Sequence, residues 1–196
     1  MVLYPKIFLP KNDDFEKHEL RYSFTLISML TRNEIVLIVD TDNNETGSAP
    51  RHEMRAKGLP HRATYILVFN SKDELFVQKR TMSKDIYPGY YDIAAGGVVL
   101  AGETYDESAR REVAEELGIR NAKLAPYFTF FHEDGTNKVW GRVYSCIHDG
   151  QLTLQAEEVE SGFFSPPEKV LGLSVTEPFT PDGLYVLKRF LSLKDI

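Results

Sequence analysis

At 196 residues, with 42% hydrophobic content, the chain is sized for one domain with a core of its own. The formal net charge of −6 argues against a binder of nucleic-acid polymers, which needs a basic excess, but leaves a small nucleotide open as substrate. Cys146 is the only cysteine, so no intramolecular disulfide can form, and apolar runs such as Ile35 to Val39 and Tyr65 to Phe69 are far too short to span a bilayer. A soluble, cytoplasmic protein without membrane contact is expected.

Residues 1–30 read as an N-terminal arm, broken by Pro5 and Pro10, and residues 31–196 as the domain. The arm packs on the domain, acts as a substrate lid or makes an oligomer contact, which leaves a homodimer open. Ile35 to Val39 is a β-branched strand entering the turn Asp40 to Asn44, and Pro50 to Lys57 is a short helix stopped by Gly58. Thr64 to Asn70 and Glu74 to Arg80 read as two strands of a hairpin around Asn70-Ser71-Lys72-Asp73. A glycine loop, Gly97 to Glu103, then feeds a helix ending at Gly118. Beyond it, Lys123 to His132 and Lys138 to His148 are strands, with Phe128, Phe130, Phe131 and Trp140 as core aromatics and Cys146 as a buried, inert thiol. Ser165-Pro166-Pro167-Glu168 starts another helix, and Thr180 caps a last one running to about Leu193, whose Leu184, Leu187 and Leu191 can face a sheet.

The chemistry concentrates in the helix after the glycine loop. A helix turns about 100° per residue, so Glu115 and Glu116 lie roughly 60° and 40° to either side of Glu112, and all three carboxylates share one face. Ala109, Val113 and Leu117 form an apolar stripe beside them. A Glu-rich run usually means a solvated face. Here, however, Glu112 and Glu116 repel each other at i,i+4, and Glu115 and Glu116 fall in the last turn, where the helix dipole disfavours anions. A hard divalent cation relieves all of these costs at once, and with no Cys or His in the stretch Mg²⁺ or Mn²⁺ is the natural candidate.

The spacing Gly97, five residues, Glu103, seven residues, Arg111-Glu112-Val113, any residue, Glu115-Glu116, any residue, Gly118-Ile119 resembles the full signature of the Nudix hydrolases. Such a match arises by chance on the order of once in 10⁹ starting points. The resemblance implies an α/β class fold, an α/β/α sandwich with a mixed sheet and a loop-helix-loop metal site. It implies cleavage of a nucleoside diphosphate linked to another group, with Mg²⁺ or Mn²⁺. Carried over, Glu112, Glu115 and Glu116 are metal ligands, the Gly97 carbonyl is a further ligand, and Glu103 with Arg111 stabilises the loop and orients the cluster. Similar proteins place an extra ligand or a general base before a final strand, which points to Glu157 and Glu158.

His61-Arg62-Ala63, Val77-Gln78-Lys79-Arg80 and Tyr87-Pro88-Gly89 are similar to isopentenyl-diphosphate isomerases. The residues that resemblance would require for isomerisation are absent: Gly96 and Val98 stand where the Cys and His would fall, and Arg142 and Tyr144 where the Glu pair would. The expected activity is therefore hydrolysis of a small-molecule diphosphate. An isomerase and a catalytically idle nucleotide-binding module are the rival readings. Arg55, Arg62, Lys79 and Arg80 lie in segments expected to flank the cleft and bind substrate, although Lys79 and Arg80 cannot both point into it from a regular strand.

Overall fold

Strand β3 (His61–Phe69) is buried along almost its whole length and apolar from Tyr65 on, as a strand covered on both faces must be. Its alternate residues divide between two cores. Tyr65, Leu67 and Phe69 join Val186, Leu187 and Phe190, whereas Ile66 and Val68 join Ala109, Val113 and Leu117. The computed structural model describes residues 33–194, Thr136 excepted, so the arm expected over residues 1–30 lies outside the described residues.

Strand β1 (Ile35–Val39) turns through Asp40, whose Oδ1 accepts from the backbone N–H of Asp42 and of Asn44 at 2.9 Å each, into an antiparallel partner, β2 (Glu45–Pro50). Helix α1 (Arg51–Lys57) follows directly and stops where Gly58 takes a left-handed φ of 58°. Strand β3 pairs along its full length, in parallel, with β7 (Lys138–Ile147), which pairs antiparallel with β6 (Ala125–Glu133). The hairpin expected between β3 and β4 (Leu75–Arg80) closes only at Phe69 and Leu75. Strand β4 then leaves to pair with β8 (Val159–Ser165) and the short β5 (Tyr91–Asp92).

The departure of β4 leaves the other edge of β3 to residues 95–99. The N–H of Ile66 donates to the Ala95 carbonyl at 2.7 Å, that of Thr64 to the Gly97 carbonyl at 2.9 Å, and that of Val99 to the Arg62 carbonyl at 2.9 Å. This segment delivers the chain to helix α2 (Tyr105–Leu117), which covers one face of the sheet. Helices α3 (Pro167–Leu173) and α4 (Pro181–Lys194) cover the other. Leu187 is fully buried there, with Leu184 and Leu191 packed against the same core. The result is the expected α/β architecture, a mixed sheet between helices. No helix among the described residues is long and apolar enough to cross a membrane.

Candidate active site

Helix α2 is fixed at both ends and along one side before its carboxylates are considered. Thr104 caps it reciprocally: its Oγ1 accepts from the Glu107 N–H at 3.2 Å and its own N–H donates to Glu107 Oε2 at 2.8 Å. Gly118 closes the other end at a φ of 74°. Ala109, Val113 and Leu117 are each fully buried, and the two larger side chains contribute about 2 kcal/mol apiece, more than charge repulsion along an exposed helix face could oppose. The rotation of α2 is therefore set by its apolar stripe, and the glutamates follow.

Glu116 is turned inward, only 4% exposed, where its Oε2 accepts from the Gly96 N–H at 3.1 Å and from Gln78 Nε2 at 3.4 Å. Glu112 keeps 12% of its side chain exposed and Glu115 keeps 53%. Both accept from Arg111 Nη1, at 2.8 and 3.2 Å. The same guanidinium grips Glu103 with two bonds, Nε to Oε1 at 2.8 Å and Nη2 to Oε2 at 3.0 Å, while Glu103 Oε2 accepts from the Leu100 N–H at 3.1 Å. Arg111 thus ties the glycine loop to the helix.

Burial raises the proton affinity of Glu112 above the usual carboxylate range, against the pull of Arg111 and with repulsion from Glu116 adding to it. Burial raises Glu116 likewise, with Lys84 as the main opposing charge. Among the described residues no three His, Cys, Asp or Glu side chains converge closely enough to hold a metal ion, since Arg111 draws Glu112 and Glu115 aside while Glu116 faces Gly96. The residues nevertheless fit a hard cation. Their donors are all oxygens, and Gln78 Oε1 lies buried beside Glu116 with no hydrogen-bond partner among the described residues. A Cβ on Gly97 would stand 2.4 Å from Glu112 Oε1, so glycine at 97 leaves that carboxylate its room. The Gly97 carbonyl itself is engaged by the Thr64 N–H at 2.9 Å and has one lone pair left.

Gly96 and Gly97 also line a cavity with Arg51, Arg55, Arg80 and Lys84. Of the cations expected to flank the cleft, Arg80 is there, 3.4 Å from Asp92 and bonded through Nη2 to the Ile86 carbonyl at 3.1 Å. Lys79 points the other way, to Glu160 at 3.3 Å, as strand alternation requires. Arg62 departs from expectation: its Nε donates to Asn43 Oδ1 at 2.8 Å, its Nη1 to Glu45 at 2.9 Å, and it lies over the Tyr105 ring. His61, Ala63 and Tyr65 line the cavity together with Thr64, whereas Arg62 lies over Tyr105 at the start of α2. Glu158 pairs with Lys84, whose pKa burial and Arg80 depress to about 8. Glu157 offers its backbone carbonyl to Thr81 Oγ1 at 2.8 Å. Sequence reasoning missed Gln78, Lys84 and the Gly96 amide, and of these only Gln78 carried a signal, as a lone amide after Leu75-Phe76-Val77.

The family described as NUDIX domain matches residues 59–190. An uncharacterized Nudix hydrolase of Pseudomonas aeruginosa is 48% identical over 158 residues, covering 81% of this chain and 94% of that protein. The Nudix hydrolase YfcD of Escherichia coli is 43% identical over 158 residues, covering 81% of this chain and 87% of its own. Among solved structures, DR0079 from Deinococcus radiodurans superposes with a TM-score of 0.71 at 25% identity, covering 80% of this chain and 98% of that one.

Proposed function

The chain belongs to the Nudix hydrolase family, and from that premise we propose that it uses Mg²⁺ or Mn²⁺ to split the pyrophosphate linkage of a nucleoside diphosphate derivative or a related organic diphosphate, by water attack at phosphorus. The observation that carries the reading is the pair Glu112 and Glu116, carboxylates one helical turn apart, the first largely covered and the second buried, both with raised proton affinity. Negative charge crowded in such a place is costly even beside Arg111 and Lys84, and a divalent cation is the compensation that also does chemistry. Glu112, Glu115 and Glu116 would hold it, with the Gly97 carbonyl as a further ligand. When bound, the metal neutralises the pyrophosphate and lowers the pKa of the attacking water.

The chain's own residues supply position and charge. Arg111 and Glu103 hold the helix against the loop, so the carboxylates do not drift when substrate arrives. Arg80 and Lys84, set beside Gly96 and Gly97, offer the phosphates a cationic wall. With Glu158 committed to Lys84, Glu157 is the better candidate for general base or extra ligand. The isomerase alternative draws no support from these positions: Gly96 and Val98 carry no acid, Arg142 lies over the rings of Tyr105 and Tyr144, and Tyr144 donates to Asp106.

The test is a hydrolysis screen across nucleoside triphosphates, dinucleotides, nucleotide sugars, coenzyme A and other organic diphosphates, with Mg²⁺, with Mn²⁺ and with chelator. Metal-dependent release of phosphate products supports the proposal. No turnover of any diphosphate under any of the metal conditions overturns it.

A further inference from the structure

Most cations around the cavity are answered by a carboxylate, and one is not. Arg80 has Asp92 at 3.4 Å, Lys84 has Glu158, and Arg51 has Glu34 at 3.2 Å with Asp85 at 4.0 Å. Among the described residues no carboxylate lies within 4.0 Å of the Arg55 guanidinium. Its Nη1 donates to a neutral partner, Asn137 Oδ1, at 2.8 Å, and its Nε is buried with no hydrogen-bond partner among the described residues. Burial, with repulsion from Arg51, depresses its pKa to about 10. Asp85 and Asp182 line the same cavity and offset this charge only through space, and Asp182 already accepts from the Tyr65 hydroxyl at 2.7 Å.

A guanidinium in such surroundings is matched to an anion that arrives from outside. The edge formed by Nε and Nη2, which makes no hydrogen bond among the described residues, is one of the two edges on which arginine grips an oxyanion with parallel bonds. Arg55 lines the same cavity as Gly96 and Gly97, so this edge and the backbone behind the carboxylate helix belong to one space. His61 lines it too, its Nδ1 3.1 Å from the Leu59 carbonyl, an arrangement that leaves Nε2 as the acceptor for a ligand hydroxyl.

We propose that this cavity seats a second oxyanion of the substrate, a phosphate monoester or a carboxylate distinct from the diphosphate that is cleaved, and that Arg55 is the residue that grips it. The word substrate rests on the hydrolase reading; the oxyanion site does not. The preferred diphosphates would then be those carrying another acidic group, and Arg55 would select among them.

The test separates the two ideas. Thermal unfolding of the full chain is followed in chelator while inorganic phosphate, or in a second arm malonate, is titrated into wild type, Arg55→Met and Glu116→Gln. Wild type should show a saturable rise in Tm with at least one of the anions, and the effective one distinguishes phosphate from carboxylate. Arg55→Met should need about tenfold more of it or lose the response, because a charge-assisted pair of bonds is gone. Glu116→Gln, which removes a negative charge beside the cavity-lining Gly96, should bind the anion no more weakly than wild type does. Arg55→Met is expected to fold, since it removes a buried cation that has no carboxylate partner, and its Tm without anion should equal or exceed that of wild type. An anion response unchanged by Arg55→Met, or no response in wild type, overturns the site. If an Arg55-dependent response persists while no diphosphate is hydrolysed, the hydrolase reading falls and the oxyanion site stands. Where hydrolysis is found, diphosphates with a second acidic group should lose their advantage in KM in Arg55→Met while kcat holds.

Discussion

Glu112 Oε1 lies 2.4 Å from the point where a Cβ on Gly97 would stand, whereas a Cβ on Gly96 would meet the Thr64 backbone carbonyl at 2.0 Å. The two neighbouring glycines are thus needed for different reasons. Glu112 is the tip of a flexible side chain and can move aside, so Gly97→Ala should fold with little loss of stability but lower kcat/KM by about 10²-fold, the scale of a misplaced catalytic group. The Thr64 carbonyl is part of a ladder and cannot yield, and Gly96 sits at a φ of 148°, so Gly96→Ala should cost roughly 3 kcal/mol of stability. Denaturant melts and steady-state rates on both variants check this. A Gly97→Ala enzyme as active as wild type would show that the Glu112 position does not matter.

Glu116→Gln separates chemistry from folding more sharply. The carboxylate is buried with raised proton affinity, so its neutral isostere should leave stability within about 1 kcal/mol. Turnover should drop by about 10²-fold or more if the charge holds a metal against the developing phosphate charge. Equal rates for mutant and wild type in saturating Mg²⁺ would remove Glu116 from the site.

Arg111 should prove structural in a measurable way, because its fork on Glu103 is the strut between loop and helix. Its side chain is 24% exposed and that of Glu103 21%, so solvent weakens the pair, and Arg111→Met should cost about 2 kcal/mol. In a double-mutant cycle with Glu103→Gln the two changes should couple by about 1 kcal/mol, the second costing less once the first is made. Strict additivity in urea unfolding would mean the fork contributes nothing.

What the sequence made legible follows the range of the interaction. Strands β1 and β3 and helix α2 with its Gly118 stop are written in local runs and spacings, and so are the shared face of the three glutamates and the opposed directions of Lys79 and Arg80. Strand β2, Glu-Thr-Gly-Ser-Ala-Pro, has no strand pattern of its own and is extended because β1 pairs with it. The β3–β4 hairpin was readable from its turn, but its opening after Phe69 and Leu75 depends on β8, some ninety positions on in sequence, and that opening is what admits residues 95–99 to the edge of β3. Arg62 and Arg55 were equivalent as sequence. Only the strand's facing and the cavity's shape turn one to Asn43 and the other to Asn137 and the cavity lining.

The pH dependence of stability should carry the mark of His61. Burial, helped by Arg55, lowers its pKa from 6.5 to about 3, so the folded protein refuses a proton that the unfolded chain accepts. Between those values the unfolded state binds more protons, and stability therefore falls as pH falls below 6.5. Asp92 acts in the opposite sense: burial raises its pKa, so the folded state keeps a proton that the unfolded chain has released, and its contribution falls as pH rises above 3.8. A raw curve for the wild type sums these slopes with those of other shifted groups such as Glu112 and Glu116, and a comparison with His61→Asn isolates the imidazole's share. Asparagine keeps a donor for the Leu59 carbonyl and does not titrate. Relative to that variant, wild type should lose about 2 kcal/mol between pH 7 and pH 5, from roughly 1.5 pH units below 6.5 at about 1.4 kcal/mol each. Parallel curves for the two proteins across that interval would show that the imidazole titrates in the folded state as it does in the unfolded chain, and that the cavity beside Arg55 is wetter than its lining implies.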